Sequence, residues 1–134
     1  MVTGASGYIA LHCVIQLRGT VRNLRNSAKV SPLCDMKYRA ERLELVEVDL
    51  ECAEHWHSAV GGWTYILHIA SPWPIVADET TIAIATNGTL NVLRAATECR
   101  TVRKIVLTSS CAAVNGSHTV KIYVIAGKNK LYLR

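Results

Sequence analysis

The sequence predicts an α/β fold built on a doubly wound parallel sheet. Three observations carry that expectation. Gly4, Gly7 and Ala10 stand at a three-residue spacing directly before an apolar run of helical period. Four further runs short enough for buried strands follow, around Val21, Val46, Leu67 and Val106. Stretches of helical period alternate with them, and strands alternating with helices put parallel strands side by side.

The elements follow in order. Ile9, Cys13, Val14 and Leu17 recur at helical spacing and predict a helix over Tyr8–Leu17. Thr20–Arg22 reads as a short strand. Arg25–Tyr38 is polar, contains Pro32, and reads as loop or irregular helix. Leu43–Asp49 is rich in branched apolar residues and suits a strand. Glu51–Val60 fits a helix stopped by Gly61-Gly62. Tyr65–Ala70 is an apolar run of buried-strand length. Ser71-Pro72-Trp73-Pro74 must leave regular structure. Thr80–Cys99 reads as a long helix with Ile84, Thr89, Val92 and Ala96 along one side. Gly88 inside it costs about 1 kcal/mol relative to Ala, so a close approach is expected there. Lys104–Ser109 is another strand, and His118–Arg134 allows a strand pair around Gly127-Lys128-Asn129.

Bulk properties bound the function. A chain of 134 residues, half of them hydrophobic, is one domain in size and large enough to bury a core. The net charge of +5 is spread over scattered residues, without the block of like charge that a nucleic-acid arm requires. Five cysteines, an odd number with no C-x-x-C pair, argue against a disulfide framework or zinc site and for a reducing compartment, hence the cytoplasm. No apolar run reaches membrane-spanning length. The first residues lack the basic stretch of a signal peptide. His55-Trp56-His57 invites a metal reading, but residues two apart on a helix do not face each other.

The opening turn carries chemistry. Gly4 allows the sharp bend, Gly7 lets an anion approach the backbone, and the following helix presents N–H groups to it. Arg22 ends the second predicted strand. A carboxylate there selects NAD through the ribose hydroxyls, whereas a cation suits the 2′-phosphate of NADP. Asn23 and Arg18 are candidate helpers. Asp49 could cap the helix that follows it.

Six blocks in order, TGASGYIA, RGTVRN, LELVEVDL, YILHIASPWPI, NGTLNVLRAA and KIVLTSSCAAVN, resemble the extended short-chain dehydrogenase/reductases of the NAD-dependent epimerase/dehydratase superfamily. The branch they resemble is that of the dihydroflavonol and cinnamoyl-CoA reductases. The resemblance runs from Val2 to about Gly116. It divides the chain into an incomplete dinucleotide-binding domain at 1–116 and a divergent tail at 117–134.

The resemblance implies a Rossmann-type fold, truncated, and reduction of a small-molecule carbonyl by NADP, with NAD the lesser candidate. It places Gly4, Ser6, Gly7, Tyr8 and Ile9 on the cofactor phosphates and Arg22 on the 2′-phosphate. Asp49 and Leu50 fall on the adenine. Ala70, Ser71, Pro72 and Ser109 fall on the nicotinamide side, and Ser110 is the serine that orients the carbonyl. Trp73 could line the substrate mouth.

Three departures stand against the family pattern. Little apolar sequence precedes the turn, and the turn between the first helix and second strand looks deleted, with Gly19 left as an improvised helix cap. The Tyr-x-x-x-Lys pair that supplies the proton is also missing. Tyr123-Val-Ile-Ala-Gly-Lys128 has one residue too many, since positions five apart on a helix do not share a face. Tyr38-Arg-Ala-Glu-Arg42 puts Arg where a compact ammonium is needed. The alternative to a reductase is therefore a catalytically inert nucleotide-binding or interaction fragment. Oligomeric state is not legible.

Overall fold

The computed structural model describes residues 1–13, 18–36, 42–72, 74, 78–110, 124–127 and 130–133. In chain order the elements are β1 (Val2–Thr3), α1 (Tyr8–Cys13), β2 (Arg18–Val21), α2 (Ser27–Cys34), β3 (Glu44–Glu47), α3 (Ala53–Val60), β4 (Tyr65–His68), α4 (Glu79–Glu98), β5 (Lys104–Leu107), β6 (Val124–Gly127) and β7 (Lys130–Leu133). Five parallel strands form one sheet in the order β3-β2-β1-β4-β5, and β6 and β7 form an antiparallel pair. The doubly wound parallel sheet is the one the alternation predicts.

Two apolar cores lie on the two faces, because alternate strand residues point opposite ways. Val2, Ala5, Ala10, Val21 and Leu33 form one, with Leu45, Leu67 and Ile69 packed on it. Met1, Val48, Trp56, Val60, Ile66, Val92 and Ala96 belong to the other, with Val46 and Ile105 packed on it. Among the described residues Trp56 is the largest fully buried side chain, and its indole Nε1–H donates to the Asp49 carbonyl at 3.0 Å. It buries the middle of the His55-Trp56-His57 triplet. His57 faces Glu98 at 3.4 Å, and no group of potential metal ligands occurs among the described residues.

Several boundaries differ from the sequence reading, each for a local reason. β2 starts at Arg18 and ends at Val21, so Gly19 is a strand residue and not a helix cap. A Cβ on Gly19 would stand 2.7 Å from the Ala5 Cβ, so only glycine lets the opening turn lie against the strand. Arg25–Tyr38 holds a real helix, α2. Asn26 caps it by accepting the Lys29 N–H at 3.2 Å, and Val30 and Leu33 are buried, which outweighs Pro32 inside it. Asp49 does not cap α3. Its carboxylate accepts the Glu51 N–H at 3.0 Å, in a turn three residues ahead of the true N-cap, Cys52. The helix α4 begins with a reciprocal Asp78–Thr81 capping box, one residue before the sequence reading has it.

Short as β1 is, it pairs on both sides, with Gly19 of β2 and with Leu67 and His68 of β4. The strand pair expected near Gly127 is present, with Gly127 opposite Lys130.

Candidate functional site

In an open α/β sheet, ligands bind outside the carboxyl ends of the strands, where the strand order reverses. Here the chain runs β1, β2, β3 outward and then returns to β4 on the other side of β1. The reversal is therefore the crevice between β1 and β4. Gly4 leaves β1 with φ +66, a conformation that favours glycine. A Cβ there would stand 3.0 Å from the Ala70 Cα, so the turn and the end of β4 form two closely apposed walls.

Thr20 secures the turn from the β2 side. Its hydroxyl accepts the Gly4 N–H at 3.2 Å and its carbonyl the Ala5 N–H at 2.8 Å. The Gly7 N–H closes back on the Gly4 carbonyl at 2.9 Å. A Cβ on Gly7 would meet that same carbonyl at 3.2 Å, so the bend leaves its outer side open only because both positions are glycine. Tyr8 and Ile9 open α1 with exposed side chains, and the first turn of a helix leaves N–H groups without intrahelical acceptors. Ser6 is half-buried beside them. A pyrophosphate fits this cradle.

On the β2 side, Arg22 is exposed and forms no ion pair among the described residues. The turn after it is held by Glu47, whose carboxylate accepts the Leu24 N–H at 2.8 Å. Asn23 turns its amide oxygen to the Arg25 N–H, also at 2.8 Å. Arg18 is not a helper. It lies at the opposite end of β2, where its guanidinium pairs with Glu44 at 2.9 Å and donates to the Ala59 and Gly61 carbonyls at the end of α3. Its guanidinium also lies 5.4 Å from the centre of the Trp63 ring. Asn23 lies in the turn that follows Arg22.

Leu50 is fixed from α4. The expected close approach at Gly88 is to this side chain, since a Cβ on Gly88 would fall 2.8 Å from the Leu50 Cβ. Asn91 donates to the Leu50 carbonyl at 2.8 Å. Glu51, Thr80, Ala83, Ile84 and Asn87 line an open groove next to it, which the sequence did not single out.

On the β4 and β5 side, Ala70, Ser71 and Pro72 follow β4, and Ser109 and Ser110 follow β5, both serines exposed. The Thr108 N–H bonds to the His68 carbonyl at 3.0 Å and carries the ladder to the edge of the site. The structure thus brings the turn, Arg22, Asp49-Leu50, Ala70–Pro72 and Ser109-Ser110 to one edge of the sheet. Trp73, Tyr38, Cys111, Tyr123 and Lys128 lie outside the described residues.

Sequence reasoning missed a buried polar cluster under the crevice. The Thr3 hydroxyl oxygen accepts the N–H groups of Ile69 and Ala70, both at 3.0 Å, and lies 2.8 Å from His68 Nδ1. His68 Nε2 is 3.4 Å from the Thr89 hydroxyl on α4. Burial lowers the His68 pKa from 6.5 to about 4. The unfolded chain therefore binds a proton that the folded chain refuses between those values. Stability from this group is full above pH 6.5 and is lost as pH falls toward 4, by about 3 kcal/mol in total. Urea titrations at a series of pH values check this. His68→Asn should flatten the slope between pH 6.5 and 5, and an unchanged slope would remove His68 as its source.

The 3-beta hydroxysteroid dehydrogenase/isomerase family matches residues 1–133, and the chain belongs to that family. The match runs past Gly116, where the block-by-block resemblance ends. Among its relatives are a dihydroflavonol 4-reductase of Zea mays, 35% identical over 125 residues, and a cinnamoyl-CoA reductase of Medicago truncatula, 38% identical over 123. These alignments cover 86% and 84% of this chain but 35% and 38% of the relatives. The chain thus spans little more than a third of the length of the curated relatives it matches. Among solved structures, alfalfa vestitone reductase superposes with a TM-score of 0.64 at 25% identity, over 84% of this chain and 36% of that one. The resemblance to extended reductases read from the six blocks is borne out.

Proposed function

We propose that this chain is the dinucleotide-binding part of an NADP-dependent reductase acting on a CH–OH or carbonyl group. The observation that carries the reading is the crevice between β1 and β4, with the glycine turn on one wall and, at the adjoining end of β2, an exposed cation that forms no ion pair among the described residues. The reduced cofactor, NADPH, would supply the hydride when bound. The turn residues Gly4–Ile9 would hold its pyrophosphate, Arg22 its 2′-phosphate, and Asp49 and Leu50 its adenine. Ala70, Ser71, Pro72 and Ser109 would line the nicotinamide side. Ser110 would hydrogen-bond a substrate carbonyl. The substrate is a small molecule, with neither nucleic acid nor membrane as a partner. The four described cysteines are free thiols, which suits a reducing compartment such as the cytoplasm.

Arg22 offers a charge-assisted, two-pronged contact to a phosphate. NADPH should therefore bind more tightly than NADH, and Arg22→Ala should cut that preference by about ten- to a hundredfold, the effect of losing roughly 1.5–3 kcal/mol of charged hydrogen bonding. Fluorescence titration with both nucleotides tests it. Equal affinities in the unmutated chain would remove the role given to Arg22.

A second reading applies to residues 1–134 taken alone: a polypeptide that binds nucleotide without turning substrate over. What favours it is the segment between Tyr123 and Lys128. Val124–Gly127 is a strand and not a turn of helix.

A further inference from the structure

We propose that His68 is a positioning residue for the nicotinamide half of the bound dinucleotide, acting through Thr3 on the backbone at the end of β4. This rests on the dinucleotide reading above.

The hydrogen-bond inventory leaves one arrangement. A threonine hydroxyl has a single proton and two lone pairs. Both lone pairs of Thr3 are taken by the N–H groups of Ile69 and Ala70. Its proton is therefore given to His68 Nδ1, 2.8 Å away. Nδ1 must then be unprotonated, so the proton of the neutral ring sits on Nε2 and is donated to Thr89 Oγ1 at 3.4 Å. Thr3 and His68 at the centre of this chain are shielded, 0% and 1% exposed, and Thr89 is half-buried.

The position of this chain of bonds gives it consequence. The last register pair between β1 and β4 is Thr3 opposite His68. Beyond it the backbone ladder stops, and the next two amides, of Ile69 and Ala70, are held by the Thr3 side chain alone. Ala70 is also the residue against which Gly4 packs. One hydroxyl therefore sets the end of β4 against the glycine turn. His68 sets the hydroxyl, because only an acceptor at Nδ1 turns the proton away from the two amides. A dinucleotide laid over the sheet edge has its adenosine half toward β2 and β3 and its nicotinamide half toward β4 and β5. Loss of the acceptor at position 68 should be felt by the second half and not by the first.

Two ligands separate the halves: NADPH, and 2′,5′-ADP, which lacks the nicotinamide ribose. His68→Leu should weaken NADPH by about tenfold or more, the consequence of leaving a buried hydroxyl proton without a partner. Its affinity for 2′,5′-ADP should stay within about twofold, as expected for a site that shares no partner with the change. His68→Asn, whose Oδ1 can accept the Thr3 proton, should restore most of the NADPH affinity. If His68→Leu does not fold, Thr3→Val, nearly the same shape without the hydroxyl, carries the same expectation. In the unmutated protein, ¹⁵N spectra of the ring should show Nδ1 unprotonated and Nε2 protonated. A parallel loss of both ligands, unchanged binding of both, or the opposite tautomer overturns the positioning role. If the unmutated chain binds neither ligand, the dinucleotide reading itself falls, and this inference with it.

Discussion

A polypeptide of residues 1–134, given NADPH and a panel of aromatic aldehydes and ketones, should consume the cofactor no faster than buffer does. A positioned proton donor contributes roughly 10²–10⁴-fold to such a transfer. The developing alkoxide needs that proton. Ser110 can hydrogen-bond a carbonyl, but its hydroxyl is too weak an acid to protonate an alkoxide at neutral pH. The phenol and ammonium that perform this task together must reach one substrate atom, and the spacing of Tyr123 and Lys128 in the sequence is one residue longer than the pair requires. NADPH absorbance is the measurement. Turnover that Tyr123→Phe abolishes, and a surface substitution such as Arg100→Ala leaves intact, would show that the tail works as a catalytic segment.

The second large effect concerns the fold. Trp56→Ala should abolish the cooperative thermal transition. The side chain is 1% exposed at the centre of the α3/α4 core. Truncating a buried aromatic to alanine costs about 3–5 kcal/mol, and a whole domain has only about 5–15 kcal/mol of stability. The change also takes the indole donor from the Asp49 carbonyl, so the loop carrying Asp49 and Leu50 loosens as the core fails. Circular dichroism melts compare it with His55→Ala, a neighbour on the exposed face of the same helix. A melting temperature within a few degrees of the unmutated chain would show that the core tolerates the cavity.

The sheet and most helices were legible because they rest on local signals. Runs rich in branched apolar residues gave β3, β4 and β5, and the glycine spacing gave the turn. What escaped is set by contacts distant in sequence. Gly19 looked like a helix stop until Ala5, packed against it, explained why no side chain fits there. Arg18 and Arg22 are four residues apart and looked like partners, yet a strand rises about 3.3 Å per residue, which puts them at opposite ends of β2. The helix α2 was obscured by Pro32, whose local cost is outweighed by an asparagine cap and two buried side chains. His68 carried no signal at all. A histidine in an apolar strand acquires meaning only through a hydroxyl 65 residues earlier and another 21 later.

The brevity of β1 has a mechanical consequence. The ladders β2–β3 and β4–β5 each run four register pairs, but the strand that joins them contributes one pair to β2 and two to β4. The sheet is thus two firm plates meeting along a narrow seam. Local openings follow such weak lines, so the plates part at β1 before either loses its own ladder. The crevice lies on that seam. A molecule gripped by Arg22 on one plate and by Ala70 on the other would bridge that seam and act on the sheet as a rivet.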